Sequence, residues 1–518
     1  MAMASKIEFT IDFNAKPEKY LQKEFPWISD WRVLSRNLDA RGAGTGRVPK
    51  YVYRIEVIGE GERFCQNEES FPNLGELEQK PIIVGMGPAG FFCALRLAEY
   101  GIKSILLERG DSANLRMRKI ARFWRYGNLD AQTNVCFGEG GAGLFSDGKL
   151  TTRIKSPHVG YVMKKFVEFG APAETQWMAN PHLGSNGIRK TIGAMTEGLK
   201  KAGVEFHYNS RVCKLIIEDG QMKGVELSSG KKFFSPNVVL ATGHSARDIY
   251  GLLDENKVEM EAKDFAVGVR VEHPKAIIDR IQYGKYAGDP LLGAARYRLS
   301  YHDKKTGSGT YSFCMCPGGY VLSSGSESDG LVTNGMSNSS CNSRWSNSAI
   351  VVSVKSKMDF DASKIFAGVK FQREIERKAF QFSKEFAGGR SLPAQTIKSF
   401  LDGKKDAGGI KTSSPSGIFS CCMDDILPGF VTEHLKNAFL KFNQSMNGYI
   451  SRDALVIAPE TRTSSPVRIL RDMESLESKT INGLYPCGEG AGLAGGITSA
   501  AVDGVKIAQS MIRKEKHF

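Results

Sequence analysis

The run Gly85-Met86-Gly87-Pro88-Ala89-Gly90 constrains this chain more than any other feature. It follows the apolar Pro81–Val84 and opens an amphipathic stretch, Pro88–Tyr100. A second apolar stretch, Ser104–Leu107, ends in Glu108, 18 residues beyond Gly90. Strand, glycine turn, helix, strand and terminal acid together make a dinucleotide-binding βαβ fingerprint, where the glycine spacing alone would be weak. Gly85 is assigned to the tight turn, Gly87 to the approach of a pyrophosphate and Gly90 to close helix–strand packing. Pro88 and Ala89 begin the helix, whose first amides and dipole favour an anion. Glu108 is expected to accept hydrogen bonds from adenosine ribose hydroxyls, which disfavours a 2′-phosphate at this site.

Two later segments read as parts of the same cradle. Val239–Gly243 is a buried strand ending in Ala241-Thr242-Gly243, and Gly483–Gly490 is a short strand running into a glycine turn at Gly488 and Glu489. Gly495-Gly496-Ile497 then opens a closing helix, Thr498–Arg513. Between them, Gly138 to Leu150 is glycine-rich, and its backbone amides, with Gly140 and Gly141 among them, can form an anion-binding nest. Glu139, Asp147 and Lys149 are the polar side chains of that loop. Arg109, Arg116 at the head of the basic and aromatic Arg116–Tyr126, and Val212 at the start of a strand complete the cofactor-binding set.

These pieces, with Phe123–Gly127, Asn134–Gly143, Phe145–Leu150, Met315–Gly319, Val332–Met336 and Cys487–Ile497, resemble a family of FAD-dependent dehydrogenases of unassigned substrate. The family lies within the glutathione-reductase-like flavoprotein class, and the similarity covers nearly the whole chain. It implies FAD as cofactor, Glu489 near the ribityl chain and pyrophosphate, and the helix start at Gly496 and Ile497 facing the flavin C2 oxygen. No second glycine fingerprint stands in strand–helix context, so NAD(P)H is a candidate transient electron donor and not a resident cofactor.

The fold class expected is α/β: a Rossmann-like FAD-binding body interrupted by an inserted α+β substrate domain, preceded by a small α+β module. The module spans 1–79, with strands Lys6–Phe13 and Tyr51–Ile58, a helix Pro17–Glu24 and a polar linker Asn67–Gln79. The body spans 80–272 and 454–518. Its second half carries what reads as one strand ladder: Glu205–Tyr208, Val212–Glu218, Met222–Leu227, Lys232–Phe234 and Asn237–Ala241. The insert, 273–453, has strands Ala295–Tyr301, Thr310–Met315 and Ala349–Val354, an irregular polar section Ser323–Ser348, and a helix Ser363–Phe386.

Composition narrows the function classes. Net charge is +14 without a long basic block, which suits an anionic small ligand better than nucleic acid. Ten cysteines in 518 residues are too few for a disulfide scaffold. Met1–Thr10 has no apolar signal core, and no apolar run is long enough to span a bilayer, so a cytoplasmic protein with free thiols is expected. No Cys/His spacing points to a metal.

The function expected is an FAD-dependent oxidoreductase that moves a hydride through flavin N5 to or from a small, anionic substrate. Alternatives are a flavin monooxygenase or saturating reductase of the same fold, or a flavin-dependent sensor or RNA-binding protein. Candidate catalytic residues are His244, directly after Ala-Thr-Gly, Lys149 and Arg462. Arg462 and Arg468 suit a carboxylate or phosphate, or else pair with acids such as Glu460 and Glu489. The pair Cys314-Met315-Cys316 is read as structural, on an extended strand with both thiols on one face.

Overall fold

The computed structural model describes residues 5–64 and 70–516. Met1–Ala4 of the amino-terminal stretch and Asn67–Glu69 of the expected linker lie outside the described residues.

The cofactor body is built on a five-stranded parallel sheet in the order Leu484–Pro486, Val238–Leu240, Ile82–Val84, Ile105–Leu107, Glu205–His207. The central strand Ile82–Val84 is buried on both faces, as its unbroken apolar run requires. Helix Pro88–Glu99 lies on one face of this sheet, and helix Ile497–Lys516 packs along it. Close contact of the two helices depends on Gly504, where a Cβ would stand 2.1 Å from the Ala89 carbonyl oxygen. The ladder expected from Glu205 to Ala241 divides. Its first and last strands join the parallel sheet, while Val212–Glu218, Gln221–Leu227 and Lys232–Phe234 form a separate antiparallel sheet.

A seven-stranded sheet forms the second body, in the order Ser300–His302, Gly309–Cys316, Trp345–Val354, Phe265–Pro274, Leu455–Glu460, Leu392–Thr396, Ile418–Ser420. Phe265–Pro274 pairs along its full length with Trp345–Val354 and on its other side with Leu455–Glu460. The boundaries expected at 272/273 and 453/454 therefore fall within Phe265–Pro274 and just before Leu455–Glu460, both strands of this sheet. Helices Ala367–Ala387 and Gly429–Ser445 pack against the sheet around an apolar core that includes Val269, Ile350, Leu435 and Ile457. Ser323–Ser348 is not irregular. It contains the hairpin of Gly319–Ser323 and Thr333–Ser337 and the start of the strand Trp345–Val354. Its polar residues are buried because they surround an ion pair: Arg270 donates to Glu460 (2.8 Å) and to Asn347 Oδ1 (2.9 Å), and Thr333 donates to Glu460 (3.2 Å). In contrast, of the expected strand Ala295–Tyr301 only Ser300 and Tyr301 fall in a strand, which runs on to His302.

The amino-terminal module is a three-stranded antiparallel sheet, Ser5–Asp12, Lys50–Ile58 and Asp30–Asp39, with helix Pro17–Glu24 on it. Asp30–Asp39 had no clear alternation in the sequence. The module packs onto both larger bodies. Arg36 N–H donates to the Trp177 carbonyl (3.1 Å), and the Tyr51 hydroxyl donates to the Leu291 carbonyl (2.9 Å). Among the described residues, no helix is long and apolar enough to cross a membrane.

Candidate functional site

A cavity of about 1560 Å³ runs between the parallel sheet and the seven-stranded sheet. Ordinary small-ligand pockets hold roughly 300–1,000 Å³, so this one has room for a dinucleotide and a second molecule. One wall is made by Gly85, Gly87, Pro88, Ala89, Glu108, Arg109, Gly141, Val212, Ala241–Gly243, Glu489 and Gly492–Ile497. The opposite wall comes from Lys263, Arg296–Arg298, Tyr311–Met315, Asn334, Glu460 and Arg462–Ser464. Leu38 and Arg41 of the amino-terminal module close one side.

The glycines of the cradle fall into two kinds. Gly85 and Gly90 are there for the protein: a Cβ on Gly85 would stand 2.4 Å from the Ala241 carbonyl oxygen, and one on Gly90 would stand 2.0 Å from that of Gly85. Gly495 and Gly496 have no such reason. A Cβ at either meets no protein atom within 4 Å, and neither has positive φ. At Gly87 the nearest atom is the Gly141 Cα at 3.9 Å. Bare backbone facing open space is what a cofactor lying against the chain requires, so these residues fit the group that the fingerprint implies. Helix Pro88–Glu99 adds to the fit. Its N-cap Gly87 has no side-chain cap and its first turn no acid, which leaves its dipole for an anion.

The Glu108 carboxylate is already engaged by backbone amides, with Oε2 accepting from Met86 (2.9 Å) and Oε1 from Gly110 (3.0 Å) and Gly138 (2.9 Å). It still lines the cavity, and it also ties the glycine turn to the glycine-rich loop. Glu489 lines the cavity without a hydrogen bond or ion pair among the described residues, so its oxygens are free for ligand hydroxyls.

Gly90, Arg116, Gly140 and Gly488 stand behind the wall and not on it. Arg116 is fully buried and donates to the carbonyls of Asn134 (2.9 Å), Val135 (2.7 Å), Glu139 (2.7 Å) and Gly141 (2.8 Å). It shapes the glycine-rich loop from within. Gly488 N–H donates to Asp503 (2.8 Å), itself paired with Arg471. Within the loop, Glu139 accepts from Ala113 N–H (2.7 Å) and Thr196 (2.6 Å), turned away from the cavity. Asp147 holds His182 (3.1 Å) and Lys149 (3.3 Å).

Of the candidate catalytic residues, Lys149 and His244 face the cavity. Burial, with Arg462 and Arg247 nearby, holds His244 below its ordinary value despite Glu489, so it sits neutral, its Nδ1 3.1 Å from Ser245 Oγ. Arg462 reaches the wall, but Glu376 engages it (2.8 and 3.1 Å) with Glu327 beyond at 3.6 Å. Its partners are not Glu460 or Glu489, and its guanidinium is not available to an anion. Arg468 pairs with Glu261 at 3.1 Å, away from the cavity.

The cations that do face the cavity without a partner were not singled out by the sequence. Arg296 and Arg298 line it, with the buried Tyr297 between them, and neither makes a salt bridge or hydrogen bond among the described residues. Lys263 lines it too, its ammonium destabilised by burial and by Arg468 and supported in part by Glu489 and Asp264. The Arg-x-Arg spacing in an extended segment was the readable signal. Cys314 also lines the wall, and its strand is not regular. A bulge between Phe313 and Cys316 breaks the pairing with Trp345–Val354, and Cys314 has φ of 46°.

Comparison with known proteins places the chain among flavoproteins. Residues 264–463 match the family profile "FAD-dependent protein, C-terminal domain-like", over the span of the seven-stranded body. The chain is 40% identical over 504 residues to an uncharacterized protein of Clostridium beijerinckii, covering 94% of this chain and 93% of that one. It is 28% identical over 240 residues to FixC of Escherichia coli K12, covering 43% of this chain and 52% of FixC. Among solved structures, GidA of Aquifex aeolicus aligns at 13% identity with a TM-score of 0.35, over 84% of this chain and 63% of that one. With its bare-glycine cradle and near full-length kinship to the Clostridium protein, the chain belongs to this family of FAD-dependent proteins, and FAD is its cofactor.

Proposed function

We propose that the protein is an FAD-dependent oxidoreductase acting on a small anionic substrate held between the cofactor wall and the seven-stranded sheet. The observation that carries this reading is the pair Arg296 and Arg298, which lie on the cavity wall opposite the glycine cradle and make no hydrogen bond or salt bridge among the described residues. Two guanidinium groups set side by side with no salt bridge of their own are costly to gather unless an anion joins them, and guanidinium forks match carboxylate or phosphate. They face a cleft between two sheets and form no outward stripe, which favours a small anion over a nucleic acid.

When bound, FAD supplies two-electron chemistry at its N5 atom. The chain's own residues position and charge the site. Gly87, Gly495 and Gly496 let the cofactor lie against backbone, and Glu489 offers acceptors to its hydroxyls. Arg296 and Arg298 orient the acid group of the substrate. His244, kept neutral, can take or give a proton at the cavity wall. NADH or NADPH is the candidate electron donor, visiting and leaving the same cavity.

The test is an anaerobic titration of the purified holoprotein with NADH and NADPH, followed by a panel of carboxylates and phosphates as oxidants. Bleaching of the flavin absorbance, and its return on adding one acid class, is the expected result. Arg296→Ala should raise KM for that acid with flavin content unchanged. A flavin that neither donor nor any acid reduces or reoxidises would overturn the reading.

A further inference from the structure

Cys314 and Cys316 were read from sequence as structural, yet the fold places one on the cavity wall and the other directly behind it. Cys314 is half-buried and lines the cavity; Cys316 is fully buried. The bulge removes the regular ladder where they stand, and a non-glycine residue is held in left-handed backbone at the cavity edge. Such strain concentrates where a side chain must be aimed. The Cys316 thiol donates back to the Cys314 carbonyl at 3.3 Å, and Arg270 reaches both, Nη1 lying 3.2 Å from that carbonyl and 3.9 Å from the Cys316 sulfur.

The charges around the pair are uneven. Hydrogen bonding from the Cys316 thiol pulls the Cys314 thiol well below its ordinary value against the opposing effect of burial, helped by Lys149 and Arg270 and resisted by Asp147. Burial pushes Cys316 the other way. Glu460 balances the Arg270 charge, accepting from its Nε and Nη2 while Nη1 is left toward the cysteines. Cys314 thus stands on the cavity wall and is drawn toward its thiolate, while Cys316 stands sheltered behind it. That is the division of labour of an attacking and a resolving cysteine.

We propose that Cys314 and Cys316 form a redox-active dithiol that exchanges electrons with a small acidic disulfide entering the cavity. The proposal deepens the oxidoreductase reading by naming a substrate class, and it rests on that reading for the anion preference. The Cys314 thiolate attacks one sulfur of the incoming disulfide, whose S–S bond breaks and whose other half leaves as a thiolate. Cys316 then releases its proton to solvent and attacks the Cys314 sulfur, expelling the second half as a thiolate. The dithiol loses two electrons and closes to a disulfide. The small disulfide gains those electrons and leaves as two thiols.

The experiment uses the reduced holoprotein with two probes, dithiodipropionic acid and the cationic cystamine, quenched with iodoacetamide and read by peptide mass. Wild type should form a Cys314–Cys316 link, Cys316→Ser should stop at a mixed disulfide on Cys314, and Cys314→Ser should form neither. Dithiodipropionic acid should react several-fold faster than cystamine. Iodoacetamide alone should label Cys314 faster at neutral pH than the exposed Cys213, a comparison made within the wild-type chain and independent of how the variants fold. Free thiols at both positions after either probe, or faster labelling of Cys213, overturns the dithiol and leaves the flavin reading standing. Equal or faster reaction with cystamine overturns the acidic-disulfide assignment and the anion reading of the cavity together.

Discussion

Glu376 holds Arg462 in a fork, Oε2 accepting from Nη2 at 2.8 Å and Oε1 from Nε at 3.1 Å, and the same carboxylate takes Arg247 from its other side at 2.8 Å. All three side chains are nearly inaccessible. Removing the acid leaves two buried guanidinium groups to share Glu327, and breaking a buried pair typically costs about 3–5 kcal/mol. Glu376→Ala is expected to lower the urea midpoint strongly. Arg462→Ala leaves Glu376 with Arg247 and is expected to cost less, a ranking that denaturation curves of the two variants check directly.

The two kinds of glycine in the cradle are expected to respond differently. Gly90→Ala drives a Cβ into the Gly85 carbonyl oxygen and should destabilise even the apoprotein, by roughly 1–3 kcal/mol or more. Gly496→Leu meets no protein atom within 4 Å of its Cβ, so apoprotein stability should stay within about 0.5 kcal/mol. Its FAD affinity should nevertheless fall. Thermal midpoints without FAD, paired with flavin fluorescence titrations, separate the two effects. Full FAD affinity in Gly496→Leu would remove the carboxy-terminal segment from the cradle.

Glu108 carries a heavier structural role than a ribose ligand alone. Glu108→Ala deprives the amides of Met86, Gly110 and Gly138 of their acceptor, and a hydrogen bond to a charged group is worth about 1.5–3 kcal/mol. The variant is expected to lose flavin and also apoprotein stability, with Glu108→Gln intermediate in both. Unchanged apoprotein stability, measured by urea unfolding, would show that these amides find other partners.

His182 gives the fold an alkaline limit. Burial disfavours its charge, but the hydrogen bond and charge of Asp147, aided by Cys341, outweigh it and raise the group from 6.5 to about 9. A group raised in the folded state stabilises in full below its unfolded value of 6.5, and that contribution is gone once the pH has risen through about 9. The difference corresponds to on the order of 3 kcal/mol. Urea midpoints should therefore decline across this window in wild type, and the decline should flatten in His182→Gln. A wild-type profile already flat over the window would rule the pair out as its source.

The legible part of the site was its local part. The spacing from Gly85 to Glu108 lies within one strand–helix–strand unit, and Ala241–Gly243 and Gly495–Ile497 follow strands that read plainly from their apolar runs. Arg462 was misjudged because the acid that engages it, Glu376, lies 86 residues earlier on a helix of the other body. Arg296 and Arg298 were overlooked for the converse reason, since the lack of a partner is a property of three dimensions. Cys314 depended on a bulge, which is a feature of strand register and leaves no mark in local composition. The buried hairpin within Ser323–Ser348 reads as a loop because its polar residues serve the Arg270–Glu460 pair, which only the assembled sheet brings together.

The parallel strand Leu484–Pro486 and the helix Ile497–Lys516 finish a sheet and a cradle whose other members begin four hundred residues earlier. On the ribosome, the strand Ile82–Val84, its glycine turn and its helix emerge long before the chain that will lie beside them. Until then the edge of Val238–Leu240 stays unpaired and the face of Pro88–Glu99 that receives Gly504 stays open to water. Gly495 and Gly496, at the start of the helix Ile497–Lys516, therefore join the cradle only after the strand Leu484–Pro486 has been made.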